Sequence, residues 1–232
     1  MFTKFICLIV LSFLQLTVIF DMQTNNYSLT TTTLDDEAKN SIIENLDISL
    51  FYEQPSQVGI SCFDVNQDGE IALGHNGIGE SKSISVYDSN GEFEYGYKFQ
   101  YYSSFLVLWA NGRLNIYLVR SEVLVTVDGA NVIDIVSVPD TIENNQYIRN
   151  QLWSTKKVIG ETTYELKNDM GILNYIATSY SQVVRTMPNG EESILYSIND
   201  AQVLNTWLNV LGIIAFVVLA VCVLIKTQSK SK

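Results

Sequence analysis

Six glycines in turn contexts constrain the chain most: QDG at Gly69, SNG at Gly91, ANG at Gly112, VDG at Gly129, DMG at Gly171 and PNG at Gly190. Each lies between runs rich in β-branched and aromatic residues. Glycine takes the positive φ of a tight hairpin without a steric penalty, so this pattern predicts antiparallel strands joined by short turns. Two hairpins make four strands in about 40 residues, the size of one propeller blade. The expected units span 58–100, 102–138 and 161–198. Gly69 and Gly112 are 43 residues apart and Gly112 and Gly171 are 59 apart, which places an insertion over 139–160 before the third unit.

The first unit is the clearest. Phe93, Tyr95, Tyr97, Phe99 and Tyr101 alternate with Glu92, Glu94, Gly96, Lys98 and Gln100, the period of a half-buried strand. The run GISCFDVNQDGEI from Gly59 to Ile71, followed by SISVYDSNGEF from Ser83 to Phe93, resembles the NHL-type repeat of six-bladed β-propellers. That resemblance implies blades packed radially around a channel, with proteins, nucleic acids or small ligands bound at the ring faces and enzymatic sites in a minority. The fold class expected is therefore all-β, a partial propeller of three four-stranded antiparallel blades. Closed propellers have about four to eight blades. Three leave open edges and an apolar flank, so a homodimer or another membrane protein is expected to complete the ring, unless the sheets close as an irregular barrel or sandwich.

The ends point to a membrane. Trp207 to Ile225, WLNVLGIIAFVVLAVCVLI, has no ionisable side chain and is long enough to cross a bilayer. It predicts a transmembrane helix over 206–226 with a lysine-bearing tail over 227–232. Residues 1–22 carry Lys4 before a short apolar run and read as a signal peptide or a signal-anchor helix. If this segment stays attached, lysines flank both apolar runs, both termini are cytoplasmic and the main domain is extracytoplasmic. The segment 23–45 is polar and reads as a tether. Asp47 to Tyr52, DISLFY, reads as a lone strand that completes an outer edge.

Composition narrows the partners. Of the 25 acidic residues all lie between Asp21 and Asp200, with 10 of the 14 basic ones, so the domain carries a net charge of −15. Such a domain repels nucleic acid and anionic headgroups. Three cysteines, two of them in the apolar end segments, make no disulfide framework, and Cys62 reads as a buried thiol.

No catalytic motif stands out and no cofactor is expected. The candidate contact residues are Trp153, Arg149, Lys156 and Lys157 in the insertion, where Asp140-Thr141-Ile142-Glu143 predicts a capped short helix running to Trp153. Tyr95, Tyr97 and Tyr101 are a second candidate surface, against the alternative of packing within the blade. Asp64, Asn66 and Asp68 match the start of a calcium loop, but His75 stands where a bidentate glutamate is required, so a plain hairpin turn competes with a metal site. The lone His75 reads as a loop residue. The function expected is a binding module of an accessory or sensory subunit, with a cell-surface enzyme acting on a glycan or peptide, or a structural spacer, as alternatives.

Overall fold

The computed structural model describes residues 29–56 and 58–230. The expected N-terminal helix over 1–22 lies outside them. In chain order, β1 (Thr32–Thr33), α1 (Asp36–Leu46) and β2 (Ser49–Phe51) precede a first meander of β3 (Cys62–Val65), β4 (Ile71–Asn76), β5 (Ser81–Tyr87) and β6 (Phe93–Gln100). A second meander contains β7 (Phe105–Ala110), β8 (Arg113–Leu118), β9 (Val123–Asp128) and β10 (Asn131–Ser137). After α2 (Ile142–Tyr147) and a π-turn (Ile148–Leu152), the third comprises β11 (Lys156–Ile159), β12 (Thr162–Lys167), β13 (Gln182–Thr186) and β14 (Glu192–Ser197), ahead of α3 (Asn199–Lys230).

The chain is mostly β, in three antiparallel sheets, but they are not uniformly four-stranded. β2 adds to β6 and β1 adds to β10, giving two five-stranded sheets and one four-stranded sheet. The lone strand at DISLFY therefore does complete an outer edge. The polar tether reading needs correction from Leu29 onward. Leu29 is buried, Thr32 and Thr33 pair with β10, and Asp35 caps α1 by accepting from the Ala38 N–H at 2.8 Å. Asp36 and Glu37 in its first turn complement the helix dipole, and Leu46 buries its end.

The third sheet also departs from expectation. Its first hairpin turns at Gly160, not Gly171, so it begins at Lys156 and takes the last residues assigned to the insertion. Gly171 instead opens a 3₁₀ turn (Gly171–Ile176) in the β12–β13 connection. The apolar run GILNYIA around it imitates a strand. Gly112 and Gly160 are 48 residues apart, closer to the first spacing of 43 than the 59 read from Gly171.

The first sheet lies between the other two. On β3 and β4, Phe63, Ile71 and Leu73 face the third sheet, meeting Tyr164, Leu166, Val183 and Tyr196. The alternate side chains Cys62, Ala72, Ile84 and Val86 join Phe99, Phe105, Val107 and Ile116 in the cluster shared with the second sheet. Period-two alternation with both sets apolar is what a sheet buried on both faces requires. Each large side chain so buried contributes about 1.5–3 kcal/mol.

The outer flanks end the stack in different ways. On the far side of the second sheet, Leu106 and Leu108 are buried in one cluster with Leu29 and Leu152, against which Tyr147 and Ile148 pack. Asn144 locks this cover: it accepts from the Thr30 N–H at 2.8 Å and donates to the carbonyls of Thr30 at 2.9 Å and Pro139 at 2.8 Å. The far side of the third sheet is polar and solvated. There Lys167 pairs with Glu165 on its own strand and reaches over β13 to Glu192 on β14, with Val158 and Ile194 as scattered apolar positions.

Candidate functional site at the insertion and the meeting of the three sheets

The first strands of the three sheets converge, β3 packing against both β7 and β11, with the π-turn against β3 and β7. Asp64 sits at that point. Its Oδ1 is 3.0 Å from the Lys157 ammonium on β11, and its Oδ2 accepts from the Trp109 N–H on β7 at 2.7 Å. Lys157 also donates to the Gln151 carbonyl at 2.7 Å, and its Nζ lies 6.0 Å from the Phe63 ring centroid. The pair is nearly sealed, the two side chains being 10% and 14% exposed. Burial raises the Asp64 carboxyl above the ordinary range, while the Lys157 charge and the Trp109 N–H pull it back. One ion pair thus ties three sheets and the insertion together.

This geometry redistributes the candidate residues. Lys157 is an interior partner of Asp64 and not a surface cation. Both Asp64 oxygens face N–H donors, and Asn66 Oδ1 accepts from the backbone N–H groups of Asp68 and Glu70, each at 2.9 Å, while its amide donates to the Glu70 carboxylate. Asp64, Asn66 and Asp68 therefore do not present their oxygens to a common cation, and the loop is a side-chain-stabilised hairpin turn. Among the described residues, no group of three or more His, Cys, Asp and Glu could hold a metal.

Tyr97 and Tyr101 are buried and Tyr95 packs against the same cluster. Tyr97 contacts Tyr95 edge-on, and the Tyr101 hydroxyl accepts from the Ser121 N–H at 3.2 Å, joining the first sheet to the second. The aromatic alternation therefore serves packing between sheets. The capped helix forms as its sequence predicts, Thr141 accepting from the Asn144 N–H at 3.1 Å. Beyond it the chain exposes Arg149, Trp153 and Lys156, with Trp153 48% exposed at the end of the π-turn.

His75 is not a loop residue. It lies on β4, 2% exposed, where Nδ1–H donates to the Gly59 carbonyl at 3.1 Å and the ring leans on Tyr196 of the third sheet. Burial lowers its pKa to about 4. The unfolded chain binds this proton near pH 6.5 and the folded one only near 4, so stability held above pH 6.5 is lost as pH falls between these values. At 1.36 kcal/mol per pH unit the loss is about 2–3 kcal/mol. Chemical denaturation between pH 7 and 4 will show this component, and His75→Gln, which keeps a donor for Gly59 but carries no proton switch, will remove it. Cys62, pushed up to about 12 by burial, is likewise an unreactive interior thiol.

A hollow of about 540 Å³ opens on the far side of the second sheet beside Thr31, Asn115, Thr126 and Asp134. A groove of about 540 Å³ runs between α3 and residues Val58, Gly59 and Ala177 to Ser179. Scans against protein-family models, curated proteins and solved structures return no match to the chain.

Proposed function

We propose that this chain is a non-catalytic, membrane-anchored extracytoplasmic module that works through protein contacts, with the insertion as its contact surface. Trp153 carries the proposal. A half-exposed tryptophan between exposed Arg149 and Lys156 is a cationic, aromatic feature on a domain of net charge −15. Tryptophan and arginine are the side chains over-represented among binding hot spots. The surface is held from beneath, since Asn144 ahead of it and Leu152 beside Trp153 are buried. Side-by-side meandering sheets support a propeller-like reading, and the lysines flanking the apolar ends support cytoplasmic termini. With one flank covered and the other charged, a partner membrane protein fits better than a second copy completing a ring.

The test is a photo-crosslinking residue at position 150, exposed beside Trp153, of the full-length protein in its native membrane, with position 128 as control. A discrete adduct at 150 alone is expected. Its yield should collapse when Trp153→Ala or Arg149→Glu is added, while Arg149→Glu changes the unfolding free energy by no more than roughly 0.5 kcal/mol, as for a surface change. Equal labelling at both positions, or none at 150, removes the insertion as the contact surface.

A further inference from the structure

Strand direction sorts the loops into two ends. The turns at 66–70, 88–91, 111–112, 129–130, 160–161 and 187–191 lie at one end. The connections at 77–80, 101–104, 119–122 and 168–181 lie at the other, together with the start of α3. Contacts between sheets keep this sorting common to all three. Ile60 bridges Tyr180, and Tyr101 bonds both the Glu80 carbonyl and Ser121 at the α3 end, whereas Arg185 donates to the Ser89 carbonyl at the opposite end.

The two ends differ in chemistry. The turns away from α3 are mostly Asn, Asp, Gly, Glu and Ser, joined by Gln67, Ala130 and Pro188, with Met187 as their exposed large apolar side chain. At the α3 end Ile78 is 98%, Tyr175 91% and Tyr102 56% exposed, each on a different loop. Three such tips spread over three loops do not form a core with one another. Arg120 stacks over the Tyr102 ring at 5.3 Å, a cation–aromatic pair of the kind that sits among headgroups.

The same end is continuous with the apolar helix. β14 ends at Ser197 and α3 begins at Asn199, where Asn199 donates to the Asp169 carbonyl at 2.6 Å and Gln202 to the Ser179 carbonyl at 2.8 Å. The groove beside α3 runs from these residues to Val210, Ile213 and Ile214, so residues 58–59 and the 177–179 part of the loop that bears Tyr175 lie beside the uncharged part of the helix. We infer that the α3 end of the domain rests on the bilayer that α3 enters, with Ile78, Tyr102 and Tyr175 inserted at the lipid–water interface. The occupant of this surface is the adjoining lipid leaflet. Insertion of apolar and aromatic tips drives the contact, because the acidic domain gains nothing from anionic headgroups.

This inference rests on α3 spanning a membrane, and the test separates the two. In full-length protein carrying Cys7→Ser and Cys222→Ser, nitroxides are attached after Ile78→Cys, Tyr175→Cys, Asn90→Cys, Asn189→Cys or Val217→Cys, one at a time. Each protein is placed in phosphatidylcholine nanodiscs, and collisions with oxygen, which partitions into lipid, are compared with those of a water-soluble nickel chelate. Oxygen should dominate at 78, 175 and 217, and nickel at 90 and 189. Nickel dominance at 78 and 175 with oxygen dominance at 217 overturns the resting contact and leaves the span standing. Nickel dominance at 217 overturns both.

Discussion

Replacing the interior Lys157 with methionine should strongly destabilise the protein. Lys157→Met leaves the Asp64 carboxylate beneath three sheets without its counter-charge, and orphaning one member of a buried ion pair costs about 3–5 kcal/mol. For a domain of this size that corresponds to a fall of roughly 10 °C in thermal midpoint. The double variant Asp64→Asn, Lys157→Met should recover most of it, because a neutral asparagine oxygen can still accept from the Trp109 N–H. Denaturation of the four proteins of this cycle gives the coupling directly. If Lys157→Met alone is neutral, water reaches Asp64 and the pair is not what joins the sheets.

A comparable loss is expected from Gly91→Ala, for a different reason. Gly91 has φ +87°, and an added Cβ would lie 2.5 Å from the Leu195 carbonyl oxygen on β14. The left-handed backbone costs an alanine about 1–2 kcal/mol. Overpacking adds about 1–3 kcal/mol, at its upper end here because the obstacle is backbone. Gly112→Ala provides the control: its φ is +71°, but no atom lies within 4 Å of the new Cβ, so only the conformational part should appear. Equal midpoints for the two variants would mean that the 88–91 turn does not press on β14.

Local chemistry was legible where it decides structure locally. Asn66 and Asp88 reveal their turns, Thr141 the start of its helix, and Trp207 to Ile225 an exposed apolar helix, whereas the helix that Asp35 caps is hidden in a stretch too polar to read as anything but a tether. What sequence pattern could not show was contact between sheets. Tyr97 and Tyr101 look the same whether their face meets solvent, a partner or a neighbouring sheet. Asp64 and Lys157 are 93 positions apart and read separately as a turn acid and a loop base. Nor does any local rule distinguish His75 on a buried strand from a histidine in a loop. One signal is present in the sequence, the 48-residue spacing from Gly112 to Gly160, whereas Lys156-Lys157-Val158-Ile159 puts one lysine and one apolar residue on each face of β11 and so carries no strand period.

The joint between β14 and α3 has a mechanical consequence. Ile198 is the one residue between strand and helix, its N–H is held by the Ser181 carbonyl, and the Gln202 N–H closes on the Ile198 carbonyl. No swivel is left in the connection. A load applied to the distal turns acts on a stiff lever whose short arm is the first turn of α3, so a tug at those tips arrives in the helix as tilt or rotation instead of dissipating in a slack leash.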